Sequence, residues 1–361
     1  SASSNDKRYW PVSGSDQAIV GVATAARSSP GQTVAERSSV SRYATGASTA
    51  DLAVVLVDAR KGLQEQSRRH AFLVSLLRVP HLVLAINKMD LVDWSQEVYE
   101  AIRDEFTNFA AKLDIADLTI LPISALHGDN VVTRSEHMPW FDGPSLLHHL
   151  ENVHIASDRN MVDARFPVQY VIRPHQDRHH DFRGYAGQVA GGIFKPGDEV
   201  MVLPSGLTST IASIETKDGP IDEAFAPMSV VIRLADEIDI SRGDMICRVH
   251  NQPQVTQDVD AMVAWMTDRP LVAGQKLVVK HTTRSCRAVV RALQYRIDVN
   301  TLHRDEAATS LELNQIGRVR LRTTQPLLAD EYRRNRATGG FVLIDEATNV
   351  TVGAGMITGT G

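Results

Sequence analysis

Residues 52–90, LAVVLVDARKGLQEQSRRHAFLVSLLRVPHLVLAINKMD, carry the clearest indication of the fold class. Two continuous apolar runs, 52–57 and 81–87, read as strands that are buried on both faces of a parallel sheet. Between them, apolar residues recur among charged ones, which predicts a helix that Pro80 stops. A strand, a helix and a second strand in this order predict a right-handed crossover unit on a parallel sheet.

The same alternation continues after this stretch. Residues 95–113 carry apolar side chains at three- and four-residue steps, which predicts a second amphipathic helix with Ser95 as its N-cap. Residues 118–126, LTILPISAL, predict a third strand, and 145–153, SLLHHLENV, predict a third helix. The first part of the chain is therefore predicted to be an α/β domain.

The pattern changes after about residue 158, where short apolar segments alternate with Gly, Pro and Asp-Gly turn signals. A second set of such segments starts at about Ala261, after the polar stretch 250–259, which we interpret as a link between domains. We predict a divergent, poorly ordered segment at 1–45, an α/β domain at 46–157, and two antiparallel β-barrels at 158–255 and 256–361.

Composition is that of an ordinary globular protein, with 43% hydrophobic residues, 22% charged residues and a net charge of −5 over 361 residues. This charge gives no reason to expect nucleic acid or an anionic membrane as a partner. The chain has two cysteines, no apolar run near the ~18 residues of a membrane helix, and no apolar core of a signal peptide at its start. We expect a cytoplasmic protein.

Asn87-Lys88-Met89-Asp90 directly follows the second buried strand. A carboxylate here can accept two hydrogen bonds from the N1–H and the exocyclic amine of guanine, whereas adenine has no matching pair of donors. The Asn amide can serve the base edge and the neighbouring loops, and the Lys stem can lie over the base plane. Such a loop also occurs by chance on protein surfaces, so it needs a second signal.

Ser124-Ala125-Leu126 supplies that signal, because it follows the next strand at the same edge of the sheet. Its backbone N–H groups can hold the guanine O6. Ligands of open α/β sheets bind outside the carboxyl ends of the strands. The predicted nucleotide-binding residues are therefore Asn87, Lys88, Met89, Asp90, Ser124, Ala125 and Leu126. No catalytic or metal-ligating residue is predicted.

The chain resembles the translation-factor GTPases, and in particular the GTPase subunit of bacterial sulfate adenylyltransferase in its actinobacterial form. The resemblance rests on stretches that run from about Thr45 to Ile357. They include INKMDL (86–91), PISALHGDNVV (122–132), DEIDISRGDMI (236–246) and TNVTVGAGMI (348–357).

The resemblance implies a P-loop GTPase domain followed by two β-barrels, in the arrangement of elongation factor Tu. It implies GTP and Mg²⁺ as ligands and a separate adenylyltransferase subunit as partner. That partner forms adenosine 5′-phosphosulfate from ATP and sulfate, and GTP hydrolysis drives the step. The resemblance also implies a role in sulfate assimilation and cysteine biosynthesis.

One part of the family pattern is missing. No G-x-x-x-x-G-K-[ST] phosphate loop occurs in the chain, so no Mg²⁺ ligand can be assigned. The nearest match to the second switch, Ser28-Ser29-Pro30-Gly31-Gln32, lacks its Asp and His, and Gln32 is not assigned a catalytic role. Three explanations remain open at this point: a truncated or rearranged copy, a sequence from which residues are missing, and a natural pseudo-GTPase.

We interpret the other polar clusters in the sequence as structural rather than functional. His175–Asp181 contains three histidines and two aspartates, and we interpret it as a solvated hairpin loop rather than a metal site. The alternation in Arg318–Arg322 is typical of a strand with a basic outer face. Asp239–Asp244 reads as a barrel turn.

The sequence is compatible with three functions. The first is a GTP-binding regulatory subunit of sulfate adenylyltransferase. The second is an interaction module that docks the adenylyltransferase subunit without hydrolysing GTP, which the missing phosphate loop favours. The third, a translation elongation factor, is disfavoured by the SALHGDNVV and DEIDISRGD stretches and by the acidic charge balance.

Overall fold

The computed structural model describes residues 20–24, 50–154, 160–173 and 183–360, with only the backbone described at 20–24 and 360. These residues fall into two compact units: 20–24 with 50–154, and 160–173 with 183–360. The predicted segment 1–45 therefore lies mostly outside the described residues.

The first unit is a parallel sheet with helices. The strands stand in the order β1-β2-β3-β4, and each neighbouring pair is parallel. The elements are β1 Val20–Thr24, β2 Leu52–Asp58, α1 Glu65–Leu76, β3 His81–Asn87, α2 Gln96–Ala110, β4 Asp117–Pro122 and α3 Leu146–Asn152.

Burial explains why these segments take these forms. The apolar side chains of β2 and β3 are almost all buried, as expected of strands covered on both faces. Helix α2 begins where the Ser95 hydroxyl accepts a hydrogen bond from the Val98 N–H at 3.3 Å, and it buries Ile102, Phe106 and Phe109. Helix α1 ends at Leu76, earlier than Pro80 alone predicts, because Arg78 already has a left-handed backbone with φ of 48°.

The second unit contains two antiparallel barrels. In the first barrel six strands close in the order β9-β12-β6-β5-β13-β8, with β8 paired to β9. The strands are β5 Arg165–Ile172, β6 Gly184–Gln188, β7 Ile193–Phe194, β8 Glu199–Leu203, β9 Leu207–Thr216, β10 Gly219–Ile221, β11 Ala224–Phe225, β12 Ser229–Leu234 and β13 Met245–Arg248. The core of this barrel is aliphatic and aromatic, with Phe166, Tyr185 and Phe194 among its buried residues.

The other barrel closes in the order β16-β21-β22-β14-β20-β17, with β16 paired to β17. Its elements are β14 Gln254–Trp265, β15 Leu271–Val272, β16 Lys276–His281, β17 Arg284–Ile297, β18 Arg304–Asp305, β19 Ser310–Leu311, β20 Ile316–Ala329, α4 Arg336–Gly339, β21 Gly340–Ile344 and β22 Thr351–Thr360. Trp265 is fully buried in its core. The predicted fold class, a parallel sheet with helices followed by two antiparallel barrels, is thereby confirmed.

One prediction about this barrel was wrong. Much of the stretch 250–259, interpreted as a link, belongs to β14, which begins at Gln254. The stretch was interpreted as a link because it is polar. In the structure the polar side chains of β14 pair with arginines on the neighbouring strand: Asp260 binds Arg320 at 2.9 Å, and Asp258 binds Arg322. The division at 157 and 255 stays a prediction.

Two sequence interpretations agree with the barrels. Within Arg318–Arg322 the apolar Val319 and Leu321 are buried, and the arginines stand on the outer face in ion pairs. Residues 239–244 form a turn, in which the Asp244 carboxylate accepts a hydrogen bond from the Ser241 N–H at 2.8 Å. Asp244 also forms an ion pair with Arg284 of the other barrel at 3.1 Å, so this turn contributes to the contact between barrels.

Within the described ranges no helix is long and apolar enough to cross a membrane. Cys247 and Cys286 are both buried and unbonded to each other. The histidine-rich segment His175–Asp181 lies outside the described residues.

Candidate functional site

The candidate site lies at the carboxyl edge of the parallel sheet. Asp58 at the end of β2 stands opposite Asn87 at the end of β3, and Ile86 stands opposite Pro122 at the end of β4. Because the strands are parallel and in register, the loop after β3 and the loop after β4 leave the sheet side by side. The structure therefore brings the two predicted loops together.

Asn87 joins these two loops. Its Oδ1 atom accepts hydrogen bonds from the Lys88 N–H at 2.7 Å and from the Ala125 N–H at 3.0 Å. Lys88 has a left-handed backbone, with φ of 69°, which is uncommon for a residue with a side chain. The Asn87 side chain compensates for that backbone by satisfying the Lys88 N–H.

Asp90 lies in a 3₁₀ turn, Met89–Val92, and its carboxylate is held from the second loop. The Ser124 hydroxyl donates to Asp90 Oδ1 at 2.6 Å, and His127 Nε2 lies 3.8 Å from Asp90 Oδ2. A carboxylate held in one orientation can only accept hydrogen bonds, which suits a ligand that presents paired N–H donors.

The side chains of Met89 and Leu126 differ in their exposure to solvent. The Met89 side chain is fully buried, so it anchors the loop in the core, and the Met89 N–H donates to the Ile123 carbonyl at 3.3 Å. Leu126 is 81% exposed. Of the two, only Leu126 presents its side chain to solvent.

Two of the three backbone N–H groups that were predicted to hold the guanine O6 already donate to oxygens of the protein. The Ser124 N–H donates to the Asp129 carbonyl at 3.1 Å, and the Ala125 N–H donates to Asn87. The Leu126 N–H is therefore the best placed of the three to meet a ligand oxygen.

Side chains that surround Asp129 hold the loop after β4. Asp129 accepts hydrogen bonds from the Ser135 hydroxyl at 2.5 Å and from the Trp94 indole at 3.4 Å. The His137 ring also contacts Asp129 at 3.1 Å and stacks on Trp94 with 4.3 Å between ring centroids. Burial opposes ionisation of Asp129, but these hydrogen bonds outweigh it and lower the pKa of the carboxyl. The network fixes Ser124, because the backbones of Ser124 and Asp129 are bridged.

Sequence reasoning missed Asp58. Its Oδ2 atom lies 2.6 Å from Lys88 Nζ, and both of its oxygens accept from the Arg60 guanidinium, at 3.0 and 2.7 Å. The hydrogen bond from Arg60 holds the pKa of Asp58 well below its usual range. The available signal was the position of Asp58 at the end of the strand next to the one that carries Asn87.

Among the residues that the structure describes, these loops contain no candidate metal centre. In the parts of the chain for which the structure gives positions, no group of three His, Cys, Asp or Glu residues is arranged to hold a metal ion. The Ser28–Gln32 segment lies outside those parts.

Comparison with known proteins shows which families the chain is similar to. Residues 37–165 match the family model of the elongation factor Tu GTP-binding domain, and residues 258–358 match the GTP-eEF1A C-terminal domain-like model. A bifunctional enzyme CysN/CysC of Mycobacterium tuberculosis is 65% identical over 87% of this chain. Sulfate adenylyltransferase subunit 1 of Alteromonas mediterranea is 50% identical over 87% of it.

Over most of its length the chain is similar to sulfate adenylyltransferase subunit 1. It spans about half the length of the CysN/CysC relatives, with 51% covered, and 65% of the Alteromonas subunit. The crystal structure of sup35 complexed with GDP has the same fold, with a TM-score of 0.52 at 24% identity, over 88% of this chain and 80% of that one. The resemblance inferred from the motifs is confirmed by these relatives.

Proposed function

We propose that this chain is the GTP-binding regulatory subunit of a sulfate adenylyltransferase that acts in cytoplasmic sulfate assimilation. In this role it couples GTP hydrolysis to the formation of adenosine 5′-phosphosulfate from ATP and sulfate by a partner adenylyltransferase subunit. The proposal is supported by the names of the relatives and by the match to a GTP-binding domain. The observation that carries it is the Asp90 carboxylate, which Ser124 orients at the carboxyl edge of the sheet.

The base would be held by the two loops. Asp90 would accept from the guanine N1–H and exocyclic amine, the Leu126 N–H would donate to O6, and the Lys88 stem would lie along the base plane. Asn87 would keep the loops together, since it already bonds both. Mg²⁺ is included in the proposal only because the resemblance to the family implies it, since the chain contains no phosphate loop that would supply its ligand.

The decisive experiment is isothermal titration of the chain with GDP, and with ADP and xanthosine diphosphate as controls. We expect binding of GDP and none of comparable strength by ADP, because a site built to pair with a polar base rejects an analogue that leaves its groups unpaired. Equal affinities for ADP and GDP would contradict the assignment of Asp90.

A second candidate function rests on the missing phosphate loop. In this alternative the chain docks the adenylyltransferase subunit but does not turn GTP over. Several oriented N–H groups, a lysine and a metal ligand normally carry phosphoryl transfer, and loss of a single such donor slows a reaction by about 10²–10³-fold. The loops of the base site cannot replace them, since they face the other end of the nucleotide.

Gel filtration with an adenylyltransferase subunit and a GTP turnover assay separate the two functions. Co-elution without turnover favours the docking module. Co-elution with magnesium-dependent turnover at the rate of a full-length relative favours the regulatory GTPase. Neither co-elution nor turnover would count against both.

A further inference from the structure

The side chain of Lys88 is tethered outside its own loop. Lys88 Nζ lies 2.6 Å from Asp58 Oδ2, across the carboxyl ends of two neighbouring strands. Asp58 stands opposite Asn87 in the β2–β3 register, one residue before Lys88. The lysine stem therefore spans the ends of β3 and β2, beside the loop that carries Asp90.

Asp58 is itself held in one orientation. Its two carboxylate oxygens accept from the Arg60 side chain, and Oδ1 also accepts from the Arg60 N–H at 3.1 Å. Its backbone carbonyl accepts from the Lys61 N–H at 2.9 Å and from the Gly62 N–H at 3.1 Å. These bonds close a tight turn after β2, so the carboxylate offers Lys88 a fixed partner.

A tether of this kind matters for binding. A free lysine has large rotamer freedom, and a ligand that packs on its stem must first immobilise it. An ammonium bonded to Asp58 is kept away from the Asp90 carboxylate, which would otherwise attract it. The first effect leaves the stem as an ordered apolar surface, and the second keeps the ammonium from pairing with Asp90, whose side chain is only 6% exposed.

We propose that Asp58 is a positioning residue of the guanine site, which acts by holding Lys88 in place before the nucleotide binds. This inference rests on the proposed function. It assigns Asp58 no contact with the nucleotide. The effect of removing Asp58 must therefore pass through Lys88.

A double-mutant cycle tests this dependence. Dissociation of fluorescent mant-GDP is measured by stopped flow for the parent, Asp58→Asn, Lys88→Met and the double variant. Lys88→Met keeps most of the stem and removes the ammonium. We expect each single variant to release the nucleotide about 2- to 13-fold faster, the range that corresponds to the ordering of one long side chain.

The double variant decides the question. If Asp58 acts through Lys88, the double variant releases mant-GDP no faster than Lys88→Met alone. Effects that multiply, or an Asp58→Asn variant with the parental rate, would overturn the proposal. If the parent itself fails to bind mant-GDP, the proposed function fails first, and the positioning role falls with it.

A matched control and a ligand-free measurement guard against misfolding. Asp117→Asn removes a carboxylate from the opposite end of the same sheet, where it pairs with His81 at 2.8 Å, and should leave the dissociation rate unchanged. Acetylation of Lys88 by a soluble reagent, followed by mass spectrometry, should be faster in Asp58→Asn than in the parent, at an unchanged rate for Lys112. An unchanged Lys88 rate would also overturn the proposal.

Discussion

A buried ion pair between the two barrels gives the sharpest stability prediction. Arg165 of β5 is fully buried, and its guanidinium makes two hydrogen bonds of 2.8 Å to the Asp330 carboxylate in the other barrel. It also donates to the carbonyls of Ala164 at 2.9 Å and Asn251 at 2.6 Å. Replacement of Arg165 by Met would remove all of these bonds and keep an apolar stem.

The size of the effect follows from what remains. In Arg165→Met the Asp330 carboxylate stays in the interior and keeps the Thr338 hydroxyl, 2.6 Å from its Oδ2 atom. Removing one partner of a buried ion pair destabilises a protein by about 3–5 kcal/mol, because an uncompensated charge is left inside. The double variant Arg165→Met/Asp330→Leu should recover more than about 1 kcal/mol, since apolar replacement of a whole buried pair is often neutral.

The assay is urea denaturation followed by hydrogen-exchange mass spectrometry. Peptides from 183–360 report on the barrels separately from the α/β unit. Arg173→Met is the matched control, because Arg173 follows the same strand and its ion pair with Asp239 is exposed, at 3.4 Å. An exposed pair of this kind contributes at most about 1 kcal/mol. If Arg165→Met lowered the free energy of unfolding no more than Arg173→Met, the reasoning would be refuted.

Three further predictions concern the α/β unit. Asp90→Asn should shift preference from GDP to xanthosine diphosphate, because the new amide can donate to the C2 oxygen of xanthine; titration calorimetry with both nucleotides measures it, and an unchanged preference would contradict it. Ser124→Ala removes the hydroxyl that orients Asp90, so GDP should bind about tenfold more weakly in the same assay, while equal binding would argue against that role. Burial lowers the pKa of His70 to about 4, below the ~6.5 of an unfolded chain. The stability that this gives is therefore complete above pH ~6.5 and is lost as the pH falls towards 4, because the unfolded chain then binds a proton that the folded one does not. The unit should be about 2 kcal/mol less stable at pH 5 than at pH 7 in urea denaturation, and His70→Leu should show a much smaller difference.

Much of the α/β unit could be predicted from local sequence. Burial on both faces gives β2 and β3 continuous apolar runs, and burial on one face gives α2 an apolar stripe. Both patterns are local, so the sequence predicted these elements correctly. The Ser95 cap was equally readable. The meeting of Asn87 with Ala125 followed from strand order, since parallel neighbours end at the same edge of a sheet.

Contacts between distant residues were decided by the tertiary structure. Lys88 and Asp58 are 30 residues apart, and Arg165 and Asp330 are 165 apart. No local period specifies such pairs, because their geometry depends on which strands become neighbours and in what register. The polar start of β14 was misinterpreted for the same reason: arginines of the neighbouring strand β20 form ion pairs with Asp258 and Asp260, and the local sequence does not show that pairing. Periodic patterns in the sequence were enough to specify the fold class and the edge of the sheet that carries the two candidate loops. Strand pairing specifies how the charged side chains around those loops and between the barrels are held, because it brings together residues that are far apart in the chain.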